Sequence, residues 1–201
     1  METILVINLA VLWIVVLFDL ILTLAVVKQV NAIPQPAPGR DFEAEKLQKG
    51  EQAPEFTATS LGGEKVSLAD YAGQKLVALF VSPTCTPCRE KMRLINSSYP
   101  GSHNTHEKLI VVSVDEAAAT QKFVDELQFD APVPVLVAPR EDNSFADAYK
   151  VIGTPWFYII DEQGKVEAGG PINQHWEALT AQWAAAANSW ESHPMVQLSA
   201  L

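Results

Sequence analysis

Leu76-Val77-Ala78-Leu79-Phe80-Val81-Ser82-Pro83-Thr84-Cys85-Thr86-Pro87-Cys88 decides how this chain reads. The first six residues are apolar without alternation, which suits a central strand covered on both faces. A Pro-containing loop follows, and it carries the only two cysteines in 201 residues, in a Cys-x-x-Cys. Beyond it, Cys88, Met92, Ile95 and Tyr99 recur at helical spacing and share one face, while Arg89, Glu90, Lys91 and Arg93 point elsewhere. A buried strand, a loop and then a helix put that loop at the carboxyl edge of a sheet, where α/β folds present chemistry.

Within that frame the two thiols are unequal. Cys85 falls at or next to the helix N-cap, and Pro87 suits the first turn, where its missing N–H costs nothing. Unpaired backbone N–H groups and the positive helix end stabilise an anion there. Cys85 is therefore expected to ionise more easily than a free thiol, whose pKa is about 8.5. Cys88, one turn in and on the apolar face, is expected to stay protonated. These environments assign roles. Cys85 forms the mixed disulfide and Cys88 resolves it.

Two other uses of the thiols compete. Cys85 and Cys88, followed by His103 and His106, superficially resemble a Cys2His2 zinc pattern. If 86–99 is helical it rises about 20 Å, which carries the histidines to the far end of the helix, and their spacing is short for zinc. The second is a pair of inert buried thiols. His103, His106, His175 and His193 read as surface or loop residues, and no metal or cofactor is expected.

Working outward, Phe56-Thr57-Ala58-Thr59 and Lys65-Val66-Ser67-Leu68 flank Leu61-Gly62-Gly63-Glu64 as a hairpin with a glycine turn. Asp70–Gly73 reads as a short turn or helix. Leu109–Val114 is a second buried strand, and Ala117–Gln128 a helix with Phe123 and Leu127 on one face. Val133–Val137 is a third strand whose Pro134 suggests an end or an edge. Asn143–Lys150 is a short helix. Trp156–Ile160 and Lys165–Ala168 are strands joined by a turn. Ile172, Trp176, Leu179 and Trp183 form an aromatic stripe, read as core packing on a final helix. The alternation implies an α/β fold with a central mixed sheet and helices on both faces.

The amino-terminal stretch is different in kind. Ile4 to Val27 is interrupted only by Asn8, Asp19 and Thr23. As a helix it would be about 36 Å long, enough to cross a ~30 Å hydrocarbon core. A central Asp costs ~2.5–3.5 kcal/mol, against about 6–11 in favour from the Val, Ile, Leu, Phe and Trp residues at ~0.3–0.6 each. Insertion wins, and Asp19 reads as a tolerated acid near one leaflet. The run lacks a basic n-region and exceeds a signal-peptide core, so an uncleaved anchor is expected. The expected organisation is an anchor over 1–31 (spanning about 4–27) and a Pro-rich, charged linker over 32–50. A catalytic domain follows over 51–188 and a tail over 189–201. The net charge of −10 argues against nucleic acid and reads as an acidic surface.

At this point the chain resembles the thioredoxin-fold, membrane-anchored thiol–disulfide oxidoreductases of the TlpA/ResA/MauD type, within the redoxin group. The matching pieces are Gly50-x-x-Ala53-Pro54-x-Phe56, Leu68-x-Asp70-x-x-Gly73, Cys85-Thr86-Pro87-Cys88, Gly153-Thr154-Pro155 leading into Phe157-Tyr158-Ile159-Ile160-Asp161, and Gly164. The resemblance implies a thioredoxin-like fold with an amino-terminal hairpin extension, and disulfide exchange with protein partners. It implies a cis Thr154–Pro155 bond facing the cysteine loop, with Thr154, Pro155, Thr84 and Pro87 as partner-binding residues. It also implies a single-pass protein of the bacterial inner membrane with its catalytic domain in the periplasm. A membrane or periplasmic thiol would exchange electrons with it, in maturation of a periplasmic enzyme or cytochrome such as methylamine dehydrogenase or cytochrome c. Lys28 and Arg40 alone would vote for a cytoplasmic domain; an oxidising compartment, where a tethered dithiol has substrates, outweighs them. The chain departs from thioredoxins in two places: Thr84 stands where Trp usually precedes the first Cys, and Leu79 where a buried acid often sits.

Two further functions are weighed. A peroxiredoxin-like peroxidase usually has Thr or Ser three residues before its reactive Cys and Pro seven before; here those are Ser82 and Ala78, so the pattern is half kept. A copper-binding thiol chaperone would need a third ligand near the pair, with His175 the one candidate.

Overall fold

The structure, a computed structural model, describes residues 1–31, 46–99 and 107–191. The chain divides into two compact units, Met1–Asp41 and Phe42–Leu201. The first contains α1, a helix over Glu2–Asn31, 30 residues long. Leu12 through Thr23 on it are all exposed, and Asp19 is the one charged residue among them. Among the described residues, no helix is long and apolar enough to cross a membrane.

The second unit is built on seven strands: β1 Thr57–Ser60, β2 Lys65–Ser67, β3 Lys75–Val81, β4 Glu107–Ser113, β5 Val135–Val137, β6 Trp156–Ile160 and β7 Val166–Pro171. They form one mixed sheet in the order β2-β1-β5-β4-β3-β6-β7. β3, β4 and β5 run parallel, and the remaining pairs are antiparallel. Helices α2 Thr86–Ser98 and α3 Ala117–Leu127 supply the parallel crossovers, with α4 Phe145–Ala148 and α5 Gln174–Glu191 following. A 3-10 turn over Leu68–Tyr71 takes up the end of the first hairpin.

The unbroken apolar run of β3 has the expected cause. Leu76, Ala78 and Phe80 pack into one core with Phe56, Phe145, Tyr149 and Tyr158. Val77, Leu79 and Val81 pack into a second core with Cys88 and Met92 of α2, Phe123 of α3 and Trp176 and Trp183 of α5. Each large aliphatic or aromatic side chain so buried contributes about 1.5–3 kcal/mol, so β3 is the mechanical centre of the sheet. The Trp stripe is core, as expected, and Trp183 Nε1 also donates to Glu107 Oε1 at 2.7 Å.

Two expectations need correcting, and a third is narrowed. Of the two places Pro134 suggested, an end or an edge, the structure takes the end: β5 spans Val135–Val137 and lies between β1 and β4. Pro134 sits just before it and still offers its carbonyl to Val111 N at 3.0 Å, so the missing donor does no harm there. Leu47, within the stretch assigned to the linker, is buried in the first core, and its N–H donates to Tyr158 Oη at 3.2 Å. The last helix runs to Glu191, into the stretch read as tail. The hairpin forms as expected, with Gly63 at φ +87° where a side chain would be strained.

All four tyrosines resist ionisation. Burial raises Tyr71 to about 12, helped by Asp70, and burial also raises Tyr99, Tyr149 and Tyr158. Below the ordinary value of 10.0 both folded and unfolded chains keep these protons. Above it the unfolded chain releases protons that the folded chain holds, so stability falls as pH rises through the folded values. Tyrosinate absorbance near pH 11 should therefore stay low until the chain unfolds; four phenols ionising near pH 10 with native circular dichroism intact would contradict this packing.

Candidate functional site

The site is assembled by strand register. β3 leaves the sheet at Val81, whose carbonyl accepts from Val114 N at 3.0 Å. Ser82–Cys85 then turns, closed by Cys85 N donating to Ser82 O at 3.1 Å. β6 runs antiparallel to β3 with Trp156 opposite Phe80. The residues just before Trp156 are thereby brought beside the residues just after Val81.

Cys85 is the N-cap of α2, with extended backbone at φ −87°, ψ 111°. Its Sγ accepts from Cys88 N at 3.2 Å, the position an Asp or Ser oxygen usually fills. Pro87 lies in the first turn, as expected. Cys85 and Cys88 are joined as a disulfide with Cα atoms 5.3 Å apart. Cys88 is fully buried and Cys85 half-buried.

The Thr154–Pro155 bond is cis. Thr154 O lies 3.4 Å from Cys85 Sγ. In the disulfide that sulfur has no hydrogen to give, so this is a contact; a reduced thiol could donate across it. Thr84 and Pro87 are exposed beside the pair, and Thr154 and Pro155 are half-buried. Ile152, 42% exposed, adds an apolar side chain to the same loop.

Leu79 is fully buried in the core that contains Cys88, so the position of the acid is apolar here. Two buried hydroxyls at that end of the sheet, of Ser113 and Thr120, lie 2.6 Å apart. Ser82 Oγ is 3.0 Å from Thr84 Oγ1, so it is engaged with Thr84.

Of the zinc pattern, His103 and His106 lie outside the described residues, as does His193, while Cys85 and Cys88 are joined as the disulfide. Among the described residues no group of three metal-ligating side chains forms. His175 is exposed at the start of α5.

Arg89 was not singled out by the sequence reading. Its Nη2 donates to Pro83 O at 3.4 Å, pairs with Glu126 Oε2 at 3.0 Å, and its guanidinium carbon lies 5.1 Å from the Phe123 ring centre. The signal was present in the sequence: a cation in the first turns of a helix opposes the helix dipole.

Residues 49–168 match the AhpC/TSA family. The thiol-disulfide oxidoreductase ResA of Bacillus thuringiensis subsp. konkukian is 32% identical over 123 residues, covering 61% of this chain and 69% of that protein. The thioredoxin-like protein YneN of Bacillus subtilis is 34% identical over 127 residues, covering 60% and 70%. Among solved structures, the thioredoxin domain of a thiol-disulfide oxidoreductase from Bacteroides vulgatus superposes with a TM-score of 0.58. It is 21% identical, and the match covers 69% of this chain and 99% of that one; at this identity it speaks to the fold alone.

Proposed function

The chain belongs to the AhpC/TSA family and is a thioredoxin-fold thiol–disulfide oxidoreductase, and on that premise we propose that it is membrane-tethered and exchanges disulfides with extracytoplasmic proteins through Cys85 and Cys88. The observation that carries the exchange is the half-exposed Cys85 sulfur, held between the Cys88 N–H and the Thr154 carbonyl.

In the reducing direction the Cys85 thiolate attacks one sulfur of a partner disulfide. The partner S–S bond breaks, its other sulfur leaves as a thiolate and takes up a proton, and a Cys85–partner disulfide forms. Cys88 then loses its proton and attacks Cys85 Sγ, releasing the second partner thiol. Two electrons pass to the partner and the Cys85–Cys88 disulfide is restored. Oxidation of a partner dithiol is the same sequence reversed. A membrane or periplasmic thiol pair resets the protein. Thr154 and Pro155, with Thr84 and Pro87, receive the partner's chain. Ser82 is turned to Thr84 rather than to the Cys85 sulfur, which favours exchange over the peroxidase reading.

The tether is supported by α1. Its 30 residues would extend about 45 Å. Apart from Asn8, Asp19 and Thr23 the sequence from Ile4 to Val27 is apolar on every side, and a helix of that kind is either deeply buried or in lipid. Leu12 through Phe18 are all exposed. An oxidising compartment supplies disulfide partners and places the catalytic domain outside the cytoplasm. The partners would be proteins whose disulfides are opened or formed during maturation, including periplasmic enzymes and cytochromes.

Cys88→Ser should trap partners on Cys85 as adducts that a reductant releases. No adduct in Cys88→Ser, or adducts persisting after Cys85→Ser is added, would end the exchange reading. Carbonate-washed membranes should retain the full chain; recovery in the wash would contradict the anchor.

A further inference from the structure

Arg89 is placed against the rules of the helix that carries it. A cation in the first turns of α2 faces the positive end of the helix dipole, and the first turn contains no acid to offset it. Its partner Glu126 comes from α3, and the pair is partly exposed, with side-chain exposures of 33% and 44%. Pairs so exposed add little to stability. The placement therefore calls for a local reason.

That reason is geometric. The Ser82–Cys85 turn has its own internal bonds: Cys85 N to Ser82 O, and Thr84 N to Ser82 Oγ at 3.4 Å. Pro83 contributes no N–H, and its carbonyl is the acceptor that Arg89 Nη2 reaches at 3.4 Å. The guanidinium is steadied from behind by Glu126 at 3.0 Å and by the Phe123 ring at 5.1 Å. One side chain thus ties the turn before Cys85 to the helix after Cys88 and to α3. Resting on the exchange reading above, we propose that Arg89 is a positioning residue for Cys85, holding the Pro83 carbonyl so that the turn presents the Cys85 sulfur to the start of α2.

Its charge acts in the same direction, because a cation held beside the loop favours a thiolate there over a thiol. On α2 itself Glu90, Lys91 and Arg93 follow, with Lys91 paired to Glu177 of α5 at 3.3 Å. α3 supplies Glu126 and Lys122, which lie 3.9 Å apart. The turn after β4, tied to Val81 through Val114, carries Asp115 and Glu116. The 151–155 loop brings only the Thr154 carbonyl to the sulfur. Among the described residues, Arg89 is the cation that bonds to the turn itself.

The test is alkylation of Cys85 by iodoacetamide across pH in the full chain, in a Cys88→Ser background so that one thiol is read. R89M and R89Q are each expected to slow alkylation about three- to tenfold near pH 6, with the rates converging at high pH. R89K, which restores the cation, is expected to recover most of the loss. A profile in R89M that superposes on the parent's overturns the inference. If R89M does not fold, R89Q decides alone by the same criterion. Exchange with an insulin disulfide, measured in parallel with Cys88 present, separates the two claims. Activity surviving in Cys85→Ser would sink the exchange reading whatever Arg89 does. Activity lost there, with R89M and R89Q titrating like the parent, would sink only the role of Arg89.

Discussion

The hydrogen bond from Cys88 N to Cys85 Sγ, 3.2 Å long, is the contact on which the site depends. It makes a sulfur the cap of a helix. A cap must sit where the first unpaired N–H groups converge, so Cys85 cannot leave that position without uncapping α2. Thiol chemistry and helix start are therefore one structural feature. The same turn of helix carries Cys88 into the apolar core, and the difference in burial between the two sulfurs follows from it.

The rest of the domain serves to hold that cap in place. β3 is buried on both faces and delivers the loop from a rigid base. The antiparallel pairing of β6 with β3 brings Thr154 beside Cys85, although 69 residues separate them in sequence. The aromatic packing of Phe157 against Trp176, with ring centres 5.7 Å apart, braces β6 against α5. Arg89 bonds to the Pro83 carbonyl of the loop, while Leu79 in the core with Cys88 is apolar.

Much of this was legible in the sequence because it rests on local signals. The apolar run before Cys85, the Pro in the first turn and the spacing of Cys88, Met92 and Ile95 each have a direct physical meaning. The nearness of Thr154–Pro155 to Cys85 did not come from local signals; it required the resemblance, because register between distant strands is not written in either strand alone. Pro134 left an end and an edge both open, because a proline just outside a strand looks the same in sequence as one on an edge. Leu47 was missed because a single apolar residue among charged neighbours has no periodicity to mark it, and its partner Tyr158 lies 111 residues away. Arg89 was missed because helical spacing was used to find the buried face, and a side chain that reaches back to the preceding loop is off that face.

The central claim is that Cys85–Cys88 is a working redox couple rather than a structural crosslink. Its equilibrium potential, titrated against dithiothreitol and glutathione buffers, tests this most directly. The account predicts a single two-electron transition between about −270 and −120 mV, the span of exchange-active dithiols. A potential below about −300 mV, where inert structural disulfides lie, would contradict it.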